Sequence, residues 1–291
     1  MKSLRLWIWG SLYSLHLVSL DVLGVTVSWL LLVTLTVTGE FPDPHQVGMI
    51  ASGVWVAYTC DRLMDGAVLN LSQPHSMRHR VHQQYRNRLM AVTCVVVLSM
   101  ISLMFVMCSM IEVIAGLLLI GLIGVYFYFT QLRRAGRFRF EKGPCVGLLL
   151  GLAVSMPSLL GGGELAQLLS SFSLVGALFS LNCYVVSFLE MQLDRSQEEI
   201  EDTTKRGHDF RVLLSFSVYL VFLGTGWLWQ CIPGPLAMAT VLSSLCLMTL
   251  VLQKQLWLLD SCTGDFTYHT VYSFFADLSL SIPAVVVLVW L

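Results

Sequence analysis

About nine apolar runs, each long enough to cross a ~30 Å hydrocarbon core, divide this chain. They cover roughly residues 15–38, 46–64, 89–108, 111–130, 144–163, 168–190, 211–230, 233–254 and 268–290. The expected fold class is therefore all-α: a polytopic membrane protein built as one helical domain over residues 1–291. Residues 1–14 read as an interfacial lead-in, with Trp7 and Trp9 suited to the headgroup level. Composition agrees: 56% of the residues are hydrophobic and 12% are charged, too little charge for the surface of a soluble protein of 291 residues. The first run is long and no small-residue cleavage site follows it, so no cleavable signal is expected. Eight scattered cysteines form no C-x-x-C pair and read as small apolar filler.

The connectors alternate in character. One set, 39–45, 109–110, 161–167 and 231–235, is short and nearly free of positive charge. The other, 65–88, 131–143, 191–210 and 255–267, is longer and basic. All 17 Lys and Arg fall in the N-terminal tail, in the second set, or within about a turn of it. The positive-inside rule then predicts a cytoplasmic N-terminus and an external C-terminus.

Two acidic pairs end the second and sixth runs: Asp61 with Asp65, and Glu190 with Asp194. A spacing of four puts each pair on one helical face, where like charges repel. Each pair also lies at a helix C-terminus, where the dipole disfavours anions. A cation is expected to offset both costs, and a divalent metal with oxygen ligands, Mg²⁺, fits best. Two carboxylate pairs on one side of the bilayer suit a paired-metal site that clamps a diphosphate, with departure of diphosphate from an allylic carbon as the chemistry.

Other polar positions support the same end of the bundle. Tyr58 and Arg62 flank the first pair, and Arg suits bidentate contact with phosphate. Arg78, Arg80, Arg86 and Arg88 follow, and serve equally as topology-setting charge near headgroups. His75, His79 and His82 form a weaker metal candidate. In the run from Arg133 to Lys142, Lys142 is the preferred phosphate contact. Asn182 lies about two turns before Glu190 and reads as interhelical glue or a pocket group. The intramembrane acids Asp21 and Asp277 either line a cavity or bond between helices. Tyr126, Tyr128, Tyr184, Tyr268 and Tyr272 gather toward the same half. Glu112, beside an external connector, is expected to be solvated.

Nine spans, YTCDRLMD at 58–65 followed by RHRVH, and LNCYVVSFLE-x3-DR at 181–195 together resemble the UbiA superfamily of intramembrane prenyltransferases, in a divergent bacterial branch. That family's first motif is N-D-x2-D-x3-D, and its second centres on D-x3-D. Asp61 and Asp65 match the last two aspartates of the first motif, while Ala57 and Tyr58 stand at its Asn-Asp positions. In the second motif Glu190 replaces Asp and Asp194 is kept, and the acidic stretch EEIEDTTKR follows in place of a short glycine-containing turn. The resemblance implies a bundle with a central cavity open laterally to lipid. It also implies Mg²⁺-dependent transfer of an isoprenyl group from a polyprenyl diphosphate to an aromatic or other lipid-soluble acceptor. In that reading Asp61, Asp65, Glu190 and Asp194 hold metal and carry catalysis, and Tyr58, Arg62, Lys142 and Asn182 bind substrate. The departures keep a second reading open, a catalytically silent isoprenoid-lipid binding protein. A small-solute transporter using Asp21 and Asp277, with Pro157 and Gly161 to Gly163 as a helix break, is the third. Nothing in the sequence points to nucleic acid.

Overall fold

A computed structural model describes residues 19–67, 77–134, 142–197, 231–260 and 266–291, with positions 215, 216, 219, 220, 223 and 226 between them. Within these helices the side chains of 77–79, 133–134, 190–197, 254–260 and 266–272 are outside the description. The interfacial lead-in at 1–14, the cluster Arg137 to Arg139, His75 and the EEIEDTTKR stretch also lie outside it.

The described residues form helices and no strands. They are α1 (Asp21–Thr38), α2 (Pro44–Gly66), α3 (Met77–Gln84), α4 (Arg86–Met107), α5 (Met110–Arg134), α6 (Lys142–Leu160), α7 (Leu165–Gln197), α8 (Gly234–Asp260) and α9 (Phe266–Trp290). Among the described residues seven helices are long and apolar enough to cross a membrane: α1, α4, α5, α6, α7, α8 and α9. The chain thus has the make-up of a multi-pass membrane protein. Two of the nine expected spans are not among these seven. The run at 46–64 becomes α2, long enough at 23 residues, but His45, Gln46, Asp61, Arg62 and Asp65 make it too polar to count by hydropathy. The run at 211–230 falls mostly outside the described residues, although Phe216, Tyr219 and Leu223 are buried in the common core.

Local chemistry sets the helix ends. Gly39, at φ 78°, closes α1 in the left-handed conformation that glycine adopts without a Cβ penalty, and its N–H donates to the Leu35 carbonyl. Asp43 and Gln46 form a capping box at the start of α2, with Pro44 at the first turn, where a missing N–H costs nothing.

Helix α1 is the axis of the core. It packs against α2, α6, α7, α8 and α9. Trp29, Leu30, Leu32 and Val33 are fully buried. The Trp29 indole N–H donates to the Leu280 carbonyl of α9 at 3.1 Å, and its ring meets Phe179 of α7 edge-on with centroids 5.9 Å apart. Trp29→Phe keeps most of the packing and removes the donor. We expect it to cost about 1 kcal/mol in thermal unfolding of the detergent-solubilised protein, with Trp29→Ala costing about 3–5 kcal/mol.

The closest helix pair is α6 on α7. Gly143, Gly147 and Gly151 recur every four residues along one face of α6. A Cβ on Gly147 would overlap the backbone of Ser180, one on Gly151 would lie 2.6 Å from the Gly176 Cα, and one on Gly143 would lie 3.3 Å from the Cys183 Cβ. Small residues let the two backbones approach, the means by which helices associate in lipid without a hydrophobic drive. Ser180 adds hydrogen bonds to the carbonyls of Gly176, 2.7 Å, and Pro144, 3.3 Å.

Helices α4 and α5 have the opposite character. Almost none of their residues is buried, yet both are strongly apolar. Such surface suits hydrocarbon and not water. The two helices are joined by Cys108 and Ser109 and then part. Helix α4 packs on α2 and α3, α5 packs on α6, and α4 and α5 barely touch each other.

The ends of the bundle are well defined. Thr38, the start of α2, the α4–α5 connector, Pro235 and Leu291 share one end. Asp61, Asp65, Tyr126 and Lys142 share the other. A cavity of about 330 Å³ lies at the first end, between Leu35, Thr36, Pro235 and Leu291, and touches none of the sequence-predicted site residues.

Candidate functional site

The cation facing Asp61 and Asp65 is a side chain. Lys142, the first residue of α6, places its Nζ 2.8 Å from the Asp61 Oδ2 and 2.8 Å from the Asp65 Oδ2. The i,i+4 spacing on α2 puts both carboxylates on one face, and one ammonium bridges them. The positive N-terminal end of α6 adds to the effect, against the negative end of α2. All three side chains are largely buried, at 27% exposure for Lys142, 15% for Asp61 and 22% for Asp65. Removal from water strengthens attraction within the cluster and raises the cost of leaving any member unpaired.

A third helix completes the cluster. The Tyr126 hydroxyl of α5 donates to the Asp61 Oδ1 at 3.1 Å. Both oxygens of Asp61 are therefore engaged, one by a cation and one by a phenol. On α2 itself the Arg62 Nη2 donates to the Tyr58 hydroxyl at 2.9 Å, and the guanidinium sits 5.0 Å from that ring's centroid. The two residues expected to contact substrate thus hold each other, the guanidinium stacked on the ring.

Asn182 and Asp277 prove to be partners. The Asn182 Nδ2 donates to the Asp277 Oδ1 at 3.2 Å, joining α7 to α9. This is the interhelical alternative for both residues. The Asn182 Oδ1 remains buried with no hydrogen-bond partner among the described residues. The neighbouring Cys183 is within electrostatic reach of Asp277, Arg62, Lys142 and Asp61, so the amide pair and the lysine bridge belong to one neighbourhood. Asp21 stands in the first turn of α1.

Glu190 and Asp194 lie on α7, one turn apart, as their spacing requires, but their side chains lie outside the described residues. Gly143 against Cys183 fixes the level of Lys142 along α7. From Cys183, Glu190 and Asp194 are roughly 10 and 16 Å further toward the end of the helix, at 1.5 Å per residue. Tyr268, Tyr272, His79 and Arg78 likewise have side chains outside the description, and His82 is buried.

Glu112 departs from expectation. It is not a freely solvated side chain: it accepts hydrogen bonds from Gln46 and from both the backbone N–H and hydroxyl of Ser109, and lies 3.1 Å from the His45 Nε2. The S-x-x-E pattern from Ser109 to Glu112 is a capping-box signature and was its legible signal. Tyr126 was legible only as one aromatic among several.

The donor set at Asp61 and Asp65 is hard carboxylate oxygen, which suits Mg²⁺, an ion that takes one or two carboxylates, several waters and substrate phosphate oxygens. The arrangement is an acid–lysine–acid bridge with a phenol attached, at one end of an apolar bundle, beside an orphaned amide oxygen. No family model, curated protein or solved structure matches the chain.

Proposed function

We propose that the chain is an integral membrane transferase that moves an isoprenyl group from a polyprenyl diphosphate to an aromatic or other lipid-soluble acceptor with Mg²⁺. The observation that carries this reading is the convergence of Asp61, Asp65, Lys142 and Tyr126, from three helices, at one end of an apolar bundle. Asp61 and Asp65 are the residues that would hold the ion. When bound, Mg²⁺ neutralises charge on the departing diphosphate. Lys142 then has two roles: it balances the carboxylates in the ion's absence and turns to a phosphate oxygen in its presence. Arg62 supplies a second phosphate contact, oriented by Tyr58, and the Asn182 oxygen accepts from a polar group of the acceptor. Glu190 and Asp194 belong to the same proposal as the second carboxylate pair of the diphosphate site. Entry of an isoprenoid tail from lipid would run between α4 and α5, which barely touch each other.

The Lys142 bridge also favours a second reading, a silent isoprenoid-binding protein, because carboxylates already satisfied by a lysine need no metal. One experiment separates the two. Purified full-length protein is incubated with a radiolabelled polyprenyl diphosphate and membrane-extracted acceptors, with Mg²⁺ or with chelator. The transferase reading expects Mg²⁺-dependent release of diphosphate, reduced 100-fold or more in Asp61→Asn and Asp65→Asn. Retention of the intact diphosphate without metal-dependent release decides for the binding protein.

A further inference from the structure

The end of the bundle opposite Lys142 holds a second polar cluster that the proposed reaction does not use. Two capping boxes meet there, Asp43 with Gln46 at the start of α2 and Ser109 with Glu112 at the start of α5. Glu112 joins them. Its Oε1 accepts from the Gln46 Nε2 at 2.7 Å and lies 3.1 Å from the His45 Nε2. Its Oε2 accepts from the Ser109 N–H at 2.7 Å and from the Ser109 hydroxyl at 2.8 Å. Cys108 stands at the same place, in extended backbone just past α4. One ligand atom each from His45, Cys108 and Glu112 lies within 4.8 Å of the others.

We propose that His45, Cys108 and Glu112 bind a borderline-soft divalent transition-metal ion of the zinc class. Imidazole nitrogen, thiolate sulfur and carboxylate oxygen are the three ligand kinds that zinc takes, at about 2.0–2.3 Å. A thiolate and an imidazole in one set select against Mg²⁺ and Ca²⁺. The imidazole and the carboxylate are already at contact distance. Closing the site asks mainly for Cys108 to swing inward, and it lies outside both helices that flank it. Gln46 and Ser109 orient Glu112 as outer-shell donors do around metal ligands. Three protein ligands leave a fourth position for water.

The competing account is a latch that only ties the two helix starts together. The latch uses His45, Gln46, Ser109 and Glu112 but has no role for the Cys108 thiol. That difference makes the test. Full-length protein in detergent micelles is titrated with Co²⁺, a spectroscopic stand-in for Zn²⁺. We expect a near-ultraviolet thiolate-to-cobalt charge-transfer band that saturates at one equivalent and is displaced by Zn²⁺. Cys108→Ser, which leaves both caps intact, is expected to abolish the band without changing the metal-free melting temperature. Glu112→Gln weakens Co²⁺ binding at least tenfold, and Cys94→Ser on α4 leaves it unchanged. Absence of the band in the parent protein, or its survival in Cys108→Ser, overturns the proposal.

Discussion

Lys142→Met is expected to destabilise the detergent-solubilised protein by about 3 kcal/mol, the low end for breaking a buried ion pair. One ammonium serves two carboxylates at 2.8 Å each, so its loss removes the bridge between Asp61 and Asp65, like charges one helical turn apart. The low end applies because each of the three side chains keeps some exposure. Asp65→Asn alone should cost less, since Lys142 and Asp61 remain paired. Combined with Lys142→Met, it should recover part of the loss, because a single carboxylate with a phenol donor at 3.1 Å is easier to accommodate than two. That non-additivity, read from melting curves of the two single variants and the double, is the signature of direct coupling. Strictly additive losses would show that the bridge contributes little. Under the proposed function, millimolar Mg²⁺ restores stability to Lys142→Met and not to the double variant.

The second large effect is steric. Gly147→Leu should prevent α6 from seating on α7. Overpacking a core by a methylene or two costs about 1–3 kcal/mol. Here even a Cβ overlaps backbone atoms of Ser180, which cannot rotate away as a side chain can. Gly151→Val meets the same obstacle at Gly176, 2.6 Å from the added carbon. Both variants should fail to give a monodisperse peak on size-exclusion chromatography in detergent. Gly121→Leu is the control: on α5 a Cβ at that position meets nothing within 4 Å, so folding and melting should be unchanged. A well-behaved Gly147→Leu protein would mean that α6 and α7 are not in close contact.

The helices themselves were legible because hydrocarbon imposes one requirement on every residue of a span. Apolar runs and their charged connectors therefore mark α1 and α4 to α9 without knowledge of any contact. Helix α2 was legible by length but not by polarity, since it carries the site and so cannot be uniformly apolar. The acidic pair Asp61 and Asp65 stood out through its spacing, and the charge rule placed Lys142 on the same side. Their direct bridge was not readable, because it joins positions 77 residues apart. The same holds for Asn182 and Asp277, which read as two separate problems and are one solution, 95 residues apart. A place beside a short connector implies access to water for Glu112, but its partners come from α2 as well as from its own cap. The glycine face of α6 was present at four-residue spacing, but 22 glycines are spread along the chain and only a facing backbone distinguishes these three.

The parting of α4 from α5 makes the surrounding lipid a mechanical participant. Helix α5 is tied to the rest through its turn at Ser109, its contact with α6 and the Tyr126 phenol on Asp61. Acyl chains press on its whole length. Bilayer thickness and lateral pressure therefore act on a helix that meets the acidic cluster through the Tyr126 hydroxyl, about two turns before its end at Arg134.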